Sequence, residues 1–139
     1  MSDTQAVIDL GAVPEPALLE LRRCLESATW KVVPGRAYQT WFCLQHLAYT
    51  KNLFQCWHNA FMLKLPPEGQ LHPHTDSKES YSSYHIVVET NNRAFNCFEG
   101  GLTVHLEIGH LYRFDRSIRH WAVNGGTSDR VHLICEVYE

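Results

Sequence analysis

The chain has 139 residues, enough for one domain with a real core and too few for a second catalytic unit. A formal net charge of -3, with nine histidines counted neutral, leaves no basic footprint for nucleic acid and no polybasic patch for a membrane, so the expected partner is a small molecule or a peptide. Five scattered cysteines without CxxC spacing exclude a zinc knuckle or a disulfide framework and predict reduced core thiols.

In chain order, the opening MSDTQAVIDLG has an early acid and no long apolar run, which predicts neither a secretory signal nor a spanning helix, and hence a cytoplasmic protein. Glu15 to Ser27 places leucines at three and four spacings behind Pro14 and Pro16, which predicts a helix. Gln39 to Lys51 reads as helical or irregular. From Trp30 onward, short runs rich in Val, Ile, Phe, Tyr and Trp alternate with turn signals such as Pro66-Pro67-Glu68-Gly69, Gly100-Gly101 and Gly125-Gly126. Expected strands are Cys56–Leu65, Leu71–His74, Tyr84–Glu89, Leu102–Glu107, Tyr112–Asp115, His120–Val123 and Arg130–Val137. A mainly β sandwich or jelly roll with an N-terminal helix follows, as a single domain over 1–139 with a helical part at about 14–52 and a jelly-roll core at about 55–138.

The chemistry gathers at Leu71-His72-Pro73-His74-Thr75-Asp76. His74 and Asp76 are two residues apart, the spacing that puts two side chains on one face of an extended segment. A nitrogen and a carboxylate oxygen need one more nitrogen to form the facial triad of a non-haem Fe(II) site, and His120 is the best candidate if a neighbouring strand returns it beside His74. Arg130 has the parity of His120 across the Asn124–Ser128 turn, so it faces inward if the strand pattern holds through that turn. An inward guanidinium needs an anion, and the distal carboxylate of 2-oxoglutarate supplies one while its keto-acid end chelates iron and leaves a position for O2. His85, at the head of an apolar run, needs a polar partner of its own if it faces inward, and the other carboxylate of the cosubstrate fits.

Other residues compete for these roles. His72 shares parity with His74, but Pro73 between them favours a rim position. Asp115 precedes Arg116 and Ser117 and reads as a turn residue bonding its own backbone. His46, His58, His105, His110 and His132 read as structural or surface histidines, and Arg93, Arg116 and Arg119 as solvated loop charges. The bland alternative is a non-catalytic metal- or ligand-binding cupin or β-sandwich module, which has no use for an inward cation beside the metal.

The stretches Gly69 to Asp76, His85 to Asn91, and Gly109 through Phe114-Asp115 to His120, Asn124 and Arg130 together resemble the aspartyl/asparaginyl β-hydroxylase family, over roughly Met62 to Val137. The resemblance implies a double-stranded β-helix that binds Fe(II) and 2-oxoglutarate, consumes O2 and releases succinate and carbon dioxide. It implies His74, Asp76 and His120 as metal ligands and Arg130 with His85 as cosubstrate contacts. Where the family often carries an arginine two residues before the histidine matching His85, this chain has Ser83. The implied substrate is an amino acid, or an Asp, Asn or Pro residue of a peptide, with Tyr38, Trp41 or Arg119 as candidate rim contacts.

Overall fold

The predicted helix forms as α1, Glu15–Glu26, with Pro14 at its N-cap and Pro16 in the first turn, where no backbone N–H is lost from the helical ladder. The structure, a computed structural model, describes residues 5–76 and 80–139. Ala17 and Leu21 are the fully covered face of α1. No helix among the described residues is long and apolar enough to cross a membrane.

The remaining regular structure is β1 (Val7–Ala12), β2 (Lys31–Val32), β3 (Gln39–Phe42), β4 (Trp57–Leu65), β5 (Gln70–His74), β6 (Ser82–Glu89), β7 (Ala94–Phe98), β8 (Leu102–Val104), β9 (His110–Phe114), β10 (His120–Asn124) and β11 (Arg130–Val137), with 3-10 turns at Leu44–His46 and Thr50–Leu53. A seven-stranded sheet runs β1-β9-β6-β11-β4-β3-β2 and a four-stranded sheet runs β5-β10-β7-β8. The recorded pairings are antiparallel, and the two sheets face each other as a double-stranded β-helix, the jelly roll expected from sequence.

The large sheet is buried on both faces. Tyr84, Ile86 and Val88 of β6 join Leu133, Cys135 and Val137 of β11 and Ala60 and Met62 of β4 in a core that includes Leu21 of α1. The alternate residues point between the sheets. Val87 meets Phe98, Leu106, Tyr112 and Phe114, while Leu63, Leu65 and Ile134 meet Ala122. Double-sided burial explains why β6 and β11 read as near-continuous apolar runs instead of alternating ones. A histidine or arginine on the inward set is therefore enclosed by construction.

Several expectations need correction. Gln39–Phe42 is strand β3, held against β4 with Trp41 opposite Met62, and only the segment after it is helical, as short 3-10 turns. The strand read as Leu102–Glu107 stops at Val104. β1, β2 and β7 were not expected from sequence. β1 is an edge strand interrupted by Asp9 and by Gly11 at φ +95°, and β7 carries the polar Asn96 inward, so neither shows the apolar signature of a buried strand. All five cysteines are free thiols as expected, but only Cys43 and Cys135 are buried; Cys56 is exposed just before β4.

Tight chain reversals set the site. Between β4 and β5, Gly69 lies so close to the backbone that a Cβ would sit 2.7 Å from the Ala37 carbonyl oxygen and 2.8 Å from that of Pro66, with Glu68 beside it at φ 68°. Between β10 and β11 the chain crosses from the small sheet to the large one. Asn124 directs the crossing, donating from Nδ2 to the carbonyls of Leu65 (2.8 Å) and Ser128 (2.9 Å) and accepting from Gly126 N–H at Oδ1 (3.0 Å).

Candidate active site

β10 lies between β5 and β7, and its first residue, His120, is the direct cross-strand partner of His74. The neighbouring strand expected from sequence is thus the one that brings the two imidazoles together, with ring centroids 4.4 Å apart. Asp76 lies just past the end of β5, its backbone N–H bonded to the Arg116 carbonyl at 2.9 Å. One carboxylate oxygen is 3.9 Å from His74 Nε2 and the other 3.6 Å from His120 Nε2. One ligand atom from each of the three residues falls within 4.8 Å of the others.

The tautomers of the two histidines are already set. His74 Nδ1–H donates to the His72 carbonyl (2.8 Å) and His120 Nδ1–H to the Ile118 carbonyl (2.9 Å), each two residues back in its own chain. A carbonyl oxygen only accepts, so each Nδ1 carries a proton and Nε2, on the side of Asp76, is the nitrogen available to a metal. That is the arrangement metal-bound histidines adopt, with the distal nitrogen held by a backbone carbonyl. Burial lowers the His120 pKa, which keeps the ring a neutral donor. Two imidazole nitrogens and one carboxylate converging on one point fit a divalent iron with open coordination positions.

Arg130 starts β11 and is 2% exposed. Parity with His120 predicts an inward Arg130, and the side chain is inward, but by another route. β10 and β11 belong to different sheets, so Arg130 points inward from the wall opposite His120 instead of lying on the same face. Its Nη2 donates to Asn96 Oδ1 at 2.9 Å, across the space between the sheets, and no carboxylate of the described residues is within ion-pair distance of it. Burial pulls its pKa down to about 9, which leaves it cationic at neutral pH. A buried cation satisfied only by an amide is a site that favours an anion.

His85, on the inward face of β6, lies flat on Phe114 with ring centroids 3.8 Å apart and planes 3° from parallel. Phe114 in turn meets the edge of His120 at 5.3 Å. Burial lowers the His85 pKa well below its ordinary value, and the Arg130 guanidinium pushes it the same way, so the ring is neutral and sits amid the site residues. Its Nδ1 is 3.1 Å from Nδ1 of His132, a residue read from sequence as merely structural or surface. The signal for His132 was available, since it lies two residues from Arg130 on the same strand face. Asn96 was missed because its strand was missed.

The rim follows the sequence reading in part. His72 is exposed and bonded to Arg36 Nη1 at 3.2 Å, and Arg119 is exposed beside it. Asp115 accepts from the backbone N–H and hydroxyl of Ser117, as a turn residue should. Tyr38 packs on the inward cluster of Leu63, Leu65 and Ala122. Trp41 does not reach the rim. It packs on the outer core and stacks on His46, because Met62, its partner on β4, faces the helix side. Arg116 is not simply solvated either, since it donates to the Tyr81 carbonyl at 3.0 Å.

Solved structures with this fold include an oxidoreductase of the 2-oxoglutarate–Fe(II) oxygenase family from Burkholderia pseudomallei, 10% identical over 94% of this chain and 83% of that one, with a TM-score of 0.75. A Pseudomonas putida prolyl-4-hydroxylase is 14% identical, with 98% and 94% covered and a TM-score of 0.66. HygX from Streptomyces hygroscopicus, solved with nickel and 2-oxoglutarate bound, is 10% identical, with 96% and 83% covered and a TM-score of 0.74. At such identities the likeness is one of fold, and no curated protein matches the chain in sequence. The sequence does match one family over most of its length: through residues 23–139, the chain belongs to the aspartyl/asparaginyl beta-hydroxylase family.

Proposed function

We propose that this protein is a cytoplasmic Fe(II)- and 2-oxoglutarate-dependent dioxygenase that hydroxylates a free amino acid or an Asp, Asn or Pro residue of a peptide. The observation that carries the reading is the pairing of two unlike half-sites between the two sheets: a convergent His74–Asp76–His120 donor set on one and, on the other, a buried Arg130 with no carboxylate partner among the described residues. A metal module without a cosubstrate has no need of the second half. Family membership supports the same chemistry.

In this reading His74, Asp76 and His120 hold the iron. Bound there with 2-oxoglutarate, it supplies the coupling of O2 reduction to oxidative decarboxylation and C–H oxidation, with succinate, carbon dioxide and the hydroxylated substrate as products. The chain's own task is placement. Arg130 pairs with the distal carboxylate of 2-oxoglutarate, and Asn96 aims the guanidinium by accepting one of its N–H groups. His85, which feels the Arg130 guanidinium more than any other charge, supplies a neutral donor to this same carboxylate rather than to the other one expected from sequence. Phe98, Phe114 and Ile134 line the interior and keep water from the anion, which strengthens each of these contacts.

The test is succinate release with Fe(II), 2-oxoglutarate and a panel of amino acids and Asp-, Asn- or Pro-containing peptides. Turnover that requires both Fe(II) and 2-oxoglutarate, and is lost in His74→Ala, is the expected result. Failure of the metal-loaded protein to bind 2-oxoglutarate, or binding indifferent to Arg130→Met, sinks the proposal.

A further inference from the structure

Behind the cosubstrate position lies a histidine pair of a different kind. His85 of β6 and His132 of β11 sit on adjacent strands with their side chains on the inward face, 5% and 2% exposed. Their Nδ1 atoms are 3.1 Å apart and their rings stand at 89°. A hydrogen bond between two ring nitrogens holds one proton, so one Nδ1 donates and the other accepts. Both rings are neutral, because they are buried beside the Arg130 guanidinium with no carboxylate among the described residues to offset a further charge.

Two arrangements remain. If His85 donates, it bears no proton on Nε2 and presents a lone pair to the site. If His132 donates, His85 is the Nε2–H tautomer and presents an N–H. A carboxylate drawn in by Arg130 has only lone pairs to offer, so the first arrangement sets acceptor against acceptor and the second completes a donor set. A half-turn of the His85 ring would keep it flat on Phe114 but would carry Nδ1 away from His132 and break the bond between the two rings.

We infer that His132 is a positioning residue whose Nδ1–H, donated to His85 Nδ1, fixes His85 as the Nε2–H tautomer and so aims an N–H donor at a carboxylate held by Arg130. This rests on the cosubstrate reading above. The inward face of β11 then carries two functional residues in alternation, Arg130 to bind the anion and His132 to set the tautomer of its neighbour. The bond across the β6–β11 ladder is the means by which one strand dictates the chemistry of a ring on the next.

Long-range 1H–15N spectra of the Zn(II)-loaded protein with 2-oxoglutarate, assigned with His85→Gln, read the tautomers directly. His85 protonated at Nε2 and His132 at Nδ1 is the expected result. His85 protonated at Nδ1 overturns the inference whatever any variant does. By calorimetry on the Zn(II)-loaded protein, His132→Phe raises the Kd for 2-oxoglutarate about tenfold, the scale of one hydrogen bond to a charged group. His132→Asn, whose amide can still donate to His85 Nδ1, restores most of that affinity. Equal Kd values in wild type and both variants overturn the inference. Arg130→Met separates the two layers. If it abolishes 2-oxoglutarate binding while His132→Phe does not weaken it, only the role of His132 falls; if Arg130→Met itself leaves binding intact, the cosubstrate reading falls and takes this role with it.

Discussion

The two histidine pairs of this site are built from the same side chain and tied in opposite ways. His74 and His120, on the small sheet, each anchor Nδ1–H to a carbonyl two residues back in their own chain, so each ring is fixed locally and each Nε2 is the nitrogen available to a metal. His85 and His132, on the large sheet, anchor to each other through the two Nδ1 atoms, so the tautomer of each depends on its partner. The first pair is made to donate electron pairs and the second to shape a donor for an anion. Imidazole chemistry here is set by what holds the far nitrogen.

The largest break in that comparison is at the metal. His120→Ala removes one of three donors and should abolish stoichiometric Fe(II) or Ni(II) binding, measured by calorimetry under anaerobic conditions. His132→Phe should leave metal affinity unchanged, because nothing in its bonding reaches the triad. Equal loss of metal in the two variants would show that the pairs are not separate devices.

Next in size is the response of stability to 2-oxoglutarate. A ligand at a hundred times its Kd stabilises the folded state by about 2.7 kcal/mol, so Zn(II)-loaded wild type should gain several degrees in Tm with the cosubstrate. Arg130→Met should lose that gain. Its Tm without ligand should be unchanged or higher, because an uncompensated buried cation has been replaced by an apolar chain of similar length. A Tm that falls in the absence of ligand would mean that Asn96 already satisfies the guanidinium.

Acid acts on the His85–His132 pair in a definite direction. For His85 and His132, burial first and Arg130 second hold the folded-state pKa well below the ordinary value of 6.5. Above pH 6.5 neither state takes up a proton and the two groups add no pH dependence. Below it the unfolded chain binds protons that the folded one refuses, so stability falls as the pH drops, by up to about 1.4 kcal/mol per pH unit for each group. Urea unfolding at pH 7.5, 6.5 and 5.5 should show the decline, and a His85→Phe, His132→Leu double variant should flatten it. An unchanged slope in the double variant would place the acid sensitivity elsewhere.

What could be read from the sequence follows the same division. The metal half was legible because its ties are local: His74 and Asp76 share an extended segment, and His120 needed only a strand to return it. The Arg130 half was legible as a need for an anion, but not as a place, since the crossing from one sheet to the other at Gly125–Asp129 leaves no periodic trace and parity across it has no meaning. His132 was passed over because its value lies in a contact with β6, 47 residues away in sequence. The strands that escaped notice failed for physical reasons as well. β7 turns Asn96 inward to meet Arg130, and a strand that spends an interior position on a polar partner loses the pattern by which strands are found.

The crossing itself offers the smallest test. Asn91 braces it from the end of β6, donating from Nδ2 to Asn124 Oδ1 and to the Ser128 carbonyl, each at 3.0 Å, and accepting the Arg93 N–H at 2.9 Å. Asn91→Ala removes these bonds at a half-buried position, for a cost of about 1 kcal/mol in urea unfolding. The brace holds the segment that delivers Arg130 to β11, whereas His120 enters β10 at its other end, beside Ile118. The variant should therefore bind Ni(II) as wild type does while binding 2-oxoglutarate more weakly. Weakened metal binding with intact cosubstrate affinity would reverse the assignment of the crossing to the anion half of the site.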